Sequence, residues 1–129
     1  MAVLFDSNIL LDIFTQDPKW YVWSSATLAE CAEHPLLYFN PVISSEISVR
    51  FERIEDLENA LPSAYIQCED LPYEAAFLAG KCFLTYRKAD GTKRSPLPNF
   101  FICAHAAVKG WSLITRDKGR YHSIFQRWM

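Results

Sequence analysis

Apolar runs of three or four residues alternate along this chain with longer stretches in which apolar positions return every three or four residues. The short runs predict buried strands and the longer stretches amphipathic helices. Ala2-Val3-Leu4-Phe5 is the first run. The polar turn Asp6-Ser7-Asn8 ends it, and Ile9, Leu10, Ile13 and Phe14 then keep helical spacing. Asp17-Pro18 has the form of a helix cap followed by proline at the first helical position. A helix is expected from there to about His34, with Trp20, Trp23, Ala26, Thr27 and Cys31 on one face and Pro35 as its stop. Leu36-Leu37-Tyr38-Phe39 predicts a second strand, closed by Asn40-Pro41. Ser44 or Ser45 is then expected to cap a helix through Ile47, Phe51 and Ile54, with a further helix over about 56–61. Residues 65–68 predict a third strand. Between Pro72 and Arg87, the residues Ala75, Ala76, Leu78, Ala79, Cys82 and Phe83 form a helical stripe. Residues 88–96 read as a loop, Pro98 opens a helix that Gly110 closes, and Ser112-Leu113-Ile114 is a fourth strand before Thr115-Arg116-Asp117.

Strands that alternate with helices imply an α/β fold with a parallel sheet and helices on both faces. The 129 residues suit one domain, 1–129, with one core. Half of them are apolar and 15% aromatic, which excludes a disordered chain. No apolar run is long enough to span a bilayer. The N-terminus lacks a basic region and is broken by Asp6, so a signal peptide is not expected and a cytoplasmic protein is. Cys31, Cys68, Cys82 and Cys103 are far apart with no CxxC pair, and are expected to be free, buried thiols.

Net charge is −2, but it is segregated. Residues 1–80 hold 13 of the 15 acidic side chains, and residues 81–129 hold 10 of the 13 basic ones. Such asymmetry points to a nucleic-acid or acidic partner for the basic part, unless the halves interleave in space.

Asp6 and Asp117 occupy equivalent places, each just after a short apolar strand. In open α/β sheets the crevice beyond the strand C-termini is where ligands bind, and two carboxylates there can share a hard cation. Each could equally cap the next helix. Glu46 is the only charge between Pro41 and Val49. Read as lying at a helix start, it needs a cation or several donors, or serves as a first-turn acid stabilised by the helix dipole. Asn99 follows Pro98 and shares a face with Ile102, Cys103 and Ala106, which turns it toward the core side of the same crevice. Ordinary helix-start hydrogen bonding is its other reading. Asp12 is a further acid, expected to face solvent.

Four segments in order resemble a PIN domain. They are the N-terminal strand with Asp6-Ser7-Asn8, the Ser-Glu-Ile around Glu46, the Pro-x-Phe-Phe-Ile-x-Ala-His-Ala stretch at 98–106, and Thr115-Arg116-Asp117 after the last strand. The resemblance covers nearly the whole chain and is nearest to VapC-type toxins of toxin–antitoxin pairs. It implies a three-layer α/β/α fold with a central parallel sheet of about four or five strands, and a metal-dependent endoribonuclease. The family holds one or two Mg²⁺ or Mn²⁺ ions with four acids. By position Asp6, Glu46 and Asp117 match three of them, with Asp6 and Asp117 as the main metal ligands, and Asn99 stands where the family has an aspartate. Ser7, Asn8 and Thr115 resemble the polar residues that support the cluster. Arg87, Lys93, Arg94, Arg116, Lys118 and Arg120 are candidates for holding the RNA backbone. The resemblance also implies a cognate antitoxin and a homodimer. Trp20, Tyr21, Trp23, Phe51, Tyr86 and Trp128 are more large aromatics than a small core easily hides. Asn99 leaves open a weakened or disarmed domain that acts by binding RNA or antitoxin. A haloacid-dehalogenase-like phosphatase is disfavoured, because Asp6-Ser7-Asn8 lacks the second aspartate of that family's opening motif.

Overall fold

The computed structural model describes residues 2–33, 36–61, 66–89 and 97–116. The first apolar run forms β1 (Val3–Phe5), and Asp6 caps α1 (Ser7–Phe14), as the polar turn after the run predicts. Asp17 accepts from the backbone N–H of Lys19 and Trp20, both at 2.9 Å, and this capped turn leads into α2 (Tyr21–Cys31). Next come β2 (Leu37–Phe39), α3 (Pro41–Ile47), a 3₁₀ turn over Ser48–Arg50 and α4 (Ile54–Ala60). The chain continues through β3 (Ile66–Cys68), α5 (Tyr73–Ala89), α6 (Leu97–Lys109) and β4 (Ser112–Ile114). Gly110 ends α6 with φ +70°, the left-handed conformation that favours glycine after a helix.

Among the described residues, four strands form one parallel sheet in the order β3-β2-β1-β4. The chain therefore builds outward from β1 to β3, then returns to add β4 on the other side of β1. Val3, Leu4 and Phe5 pair with Ser112, Leu113 and Ile114. That reversal makes the gap between the C-terminal ends of β1 and β4 the place where a ligand crevice opens. Leu4 and Phe5 are completely buried, in line with a sheet covered on both faces. Among the described residues, no helix is long and apolar enough to cross a membrane.

Among the described residues, α5 and α6 make the most extensive helix pair. Ala75, Ala79, Cys82 and Tyr86 recur at helical spacing on the buried face of α5, and the rings of Phe83 and Tyr86 meet Phe100 edge-on at centroid distances of 5.4 Å. The small Ala side chains let the two backbones approach. Residues 99–106 of α6 are buried nearly all round, which suits a helix packed between the sheet and α5.

Several expectations change. The helix after β2 starts at Pro41, not near Ser44 or Ser45. Asn40 Oδ1 accepts from the Ile43 N–H at 2.8 Å, and Pro41 has no N–H to satisfy, so Asn-Pro starts the helix instead of closing the strand. The helix also stops at a 3₁₀ turn, and Phe51 is extended and packs edge-on against Phe14 at 5.5 Å. Asp12 is buried, not solvent-facing, for reasons given below. Of the four cysteines, all free, Cys82 and Cys103 are buried and Cys31 is partly covered, but Cys68 is exposed because β3 is an edge strand. Tyr86 is a core residue, whereas Tyr21 and Trp23 are exposed; Trp128 lies outside the described residues.

Candidate functional site

The site is built at the reversal point of the sheet. The backbone N–H of Asp6 donates to the carbonyl of Ile114 at 2.9 Å, so the last rung between β1 and β4 sets Asp6 directly beside Thr115. Asp6 is 4% exposed. Its Oδ1 accepts from the Ser7 backbone N–H at 2.8 Å, and its Oδ2 from Thr115 Oγ1 at 2.8 Å. Asn8 Nδ2 donates in turn to Thr115 Oγ1 at 3.2 Å. A chain of hydroxyl and amide groups thus fixes the carboxylate orientation.

Ser7 carries the arrangement across to α3. Its Oγ donates to Glu46 Oε1 at 3.0 Å and lies 3.5 Å from Asp6 Oδ1. Two carboxylates from separate elements therefore converge on one hydroxyl. Because α3 begins at Pro41, Glu46 sits in its last turn. The helix dipole there opposes a carboxylate, so a first-turn capping role for Glu46 is ruled out. Asn99 is buried in the first turn of α6, one turn before Cys103 on the same face. Burial, then the Asp6 carboxylate, pushes the Cys103 thiol far above its ordinary range, which puts that face of α6 within electrostatic reach of Asp6.

Asp117 lies outside the described residues, as do Lys93, Arg94, Lys118 and Arg120. Arg87 is exposed near the end of α5, its guanidinium 5.6 Å from the Phe83 ring centre. Arg116 turns to Asp12: its Nε and Nη2 donate to the two carboxylate oxygens at 2.9 and 3.1 Å. Ser24 Oγ adds a 2.7 Å bond to Asp12, and the Arg116 guanidinium stacks 5.2 Å from the Trp20 ring centre. This is why Asp12 is 2% exposed. The signal was in the sequence, since Asp12 lies three residues after Ile9 on the apolar stripe of α1.

Among the described residues, no group of three His, Cys, Asp or Glu side chains is arranged to hold a metal ion; the third expected acid is Asp117. The donors present do suit a hard divalent cation. They are carboxylate and amide oxygens, while Cys103 is held as a neutral thiol and offers no soft ligand. Asn8 Oδ1 is also buried with no hydrogen-bond partner among the described residues, an acceptor that a hydrated cation would satisfy.

The fold has counterparts among solved structures. The VapBC2 assembly of Rickettsia felis, bound to a DNA fragment from its promoter, contains a chain that superposes with a TM-score of 0.71 at 16% identity, over 96% of this chain and 93% of that one. This chain shares its fold with that chain, as the resemblance to a PIN domain implies. VapBC-1 from nontypeable Haemophilus influenzae gives 0.70 at 18% identity, over 98% and 94% of the two chains. FitAcB from Neisseria gonorrhoeae gives 0.68 at 20%, over 95% and 93%. No protein-family model matches the sequence, and no curated protein matches it closely enough to count as a relative. The shared fold thus persists at identities of only 16–20%. Its mixed architecture, a four-stranded parallel sheet flanked by helices, agrees with the α/β expectation.

Proposed function

We infer that this chain is the toxin of a toxin–antitoxin pair, built as a metal-dependent endoribonuclease and weakened by Asn99. The observation that carries the reading is the meeting of Asp6 and Glu46 on Ser7 Oγ, at the carboxyl edge of a parallel sheet where the strand order reverses. Asp6 and Asp117 would hold Mg²⁺ or Mn²⁺, with Glu46 and Asn99 completing the set. When bound, such ions supply an activated water and stabilise the leaving oxygen of a phosphodiester. The chain's own residues orient the ligands: Ser7 and Thr115 hold the Asp6 carboxylate, and Asn8 holds Thr115. Arg87, Lys93, Arg94, Lys118 and Arg120 are the candidates for the RNA backbone, joined by whatever part of Arg116 its Asp12 pairing leaves accessible.

The partner reading is an antitoxin protein and a second copy of this chain. The solved VapBC and FitAB structures support the first. Exposed Tyr21 and Trp23 on α2, and Tyr73, Phe77 and Leu84 on α5, offer apolar surface for both. Light scattering at micromolar concentration is expected to report a dimer, and a monomer would overturn the self-pairing. A second reading, a binding module without cleavage, rests on Asn99 alone.

The deciding experiment compares this chain with Asn99→Asp on a structured RNA across Mg²⁺ and Mn²⁺ titrations. With Asn99 the site has three carboxylates for two divalent ions, and the aspartate supplies a fourth. A gain of about 10²–10³ in rate is expected, the usual size of one preorganised electrostatic contribution. The exchange is nearly isosteric, so the fold should be unaffected. Equal rates at saturating metal would return Asn99 to ordinary helix-start hydrogen bonding. No cleavage by either form would favour the binding module.

A further inference from the structure

Two fully buried polar side chains outside the carboxylate site face each other across the core. Asn40 lies at the junction of β2 and α3, and His105 in the second half of α6; each is 0% exposed. Asn40 Nδ2 lies 3.0 Å from His105 Nδ1, and Asn40 Oδ1 accepts from the Ile43 N–H. The helix cap decides the direction of the other bond. Turning the amide over would aim its NH₂ at the Ile43 N–H and lose the cap. Nδ2 therefore donates, Nδ1 accepts, and the ring carries its proton on Nε2.

The surroundings favour a neutral ring. Nε2 has no partner among the described residues. The Trp111 ring lies 5.2 Å away, itself stacked on Tyr38 at 4.4 Å. The charges that act on His105 are Glu69, after β3, and Lys109, on α6, which pair with each other at 3.5 Å. Burial lowers the His105 pKa, with Glu69 opposing and Lys109 reinforcing. A fully buried imidazole carries a desolvation cost, so its presence calls for a physical reason.

The reason lies in what the pair connects. α3 is seven residues long, with Asn40 capping its start and Glu46 in its last turn. α6 carries Asn99 in its first turn. We propose that His105 is a positioning residue: through Asn40 its neutral ring holds the start of α3 against α6, and so keeps Glu46 seated on Ser7. The link from this seating to metal binding rests on the functional reading above. A proton on Nδ1 would set N–H against N–H, the pair would part, and the α3 cap would be pulled with it.

Nuclear magnetic resonance of the ¹⁵N,¹³C-labelled chain between about pH 5 and 8 tests this. Long-range ¹H–¹⁵N spectra read the His105 tautomer, and the Ser7 amide and Glu46 carboxyl resonances report the seating. In the unaltered chain the expected tautomer is Nε2–H, with a midpoint below the ordinary imidazole value of about 6.5. The Ser7 and Glu46 resonances should follow that same midpoint. Asn40→Asp keeps an oxygen for the cap and turns the other toward Nδ1. Its carboxylate should switch the tautomer to Nδ1–H and raise the midpoint by at least one pH unit, a tenfold change in proton affinity. The pair then survives protonation, so Ser7 and Glu46 should stop responding. His105→Gln retains an acceptor for Asn40 and does not titrate, and should give flat resonances even where Asn40→Asp fails to fold. A ring already protonated on Nδ1 would overturn the proposal, as would Ser7 and Glu46 titrating alike in the unaltered chain and His105→Gln. Mn²⁺ binding by the same samples tests the metal reading separately: its failure would remove that reading and leave the seating result as the resonances decide it.

Discussion

Removing the Arg116 guanidinium should destabilise the chain strongly, because it strands a buried charge. The Asp12 carboxylate is 2% exposed and is held by three hydrogen bonds, one from Ser24 and two from Arg116. Arg116→Ala removes two of the three together with the countercharge. Breaking a buried ion pair from one side costs roughly 3–5 kcal/mol. The Arg116 side chain is 31% exposed, so water screens the pair and can enter after truncation; this discounts the cost to about 2–4 kcal/mol. Loss of the stacking on Trp20 adds about 0.5–1 kcal/mol. A total of about 2.5–5 kcal/mol is a large fraction of the roughly 5–15 kcal/mol that stabilises a small domain. Asp12→Asn still accepts from Ser24 and needs no countercharge, so the double variant Asp12→Asn/Arg116→Ala should recover about 2 kcal/mol relative to the sum of the single losses. Urea unfolding of the four proteins, followed by tryptophan fluorescence, measures the cycle. A loss below about 0.5 kcal/mol for Arg116→Ala would refute the burial argument. Additive single losses would show that Arg116 and Asp12 do not act as a pair.

Gly110→Ala should cost about 1–2 kcal/mol, because φ is +70° there while an added Cβ meets nothing within 4 Å; the same urea titration checks it, and no loss would mean that the helix end relaxes freely. Stability should also fall in mild acid because of His105. Its pKa is lowered in the fold, so as pH drops below about 6.5 the unfolded chain binds the proton first. The contribution of the neutral ring is complete above that value. It declines toward the lower folded pKa by up to about 1.4 kcal/mol per pH unit. Denaturation midpoints of the unaltered chain and His105→Gln should converge as pH falls, and a constant difference between pH 5 and 8 would contradict this.

Much of the local structure was determined by residues adjacent in sequence. The apolar run before Asp6-Ser7-Asn8 dictates a strand, a cap and a helix. Gly110 dictates where α6 ends, because a left-handed residue there strains any side chain but glycine's. Asn40-Pro41 was equally legible as a helix start, yet it competes with two serines a turn later, and only the Ile43 hydrogen bond decides between them. The site itself depends on contacts that no local pattern specifies. Asp6 meets Thr115 across 109 residues because β4 returns to pair with β1, and Ser7 meets Glu46 across 39 because α3 packs beside α1. Asp12 becomes a core residue only when Ser24 and Arg116 reach it from α2 and the end of β4. A short apolar run prescribes that a strand will be buried, but its backbone hydrogen bonds are the same whichever parallel neighbour it takes. Which neighbour it takes, and so which carboxylates share a crevice, is settled by packing of helices on both faces of the finished sheet.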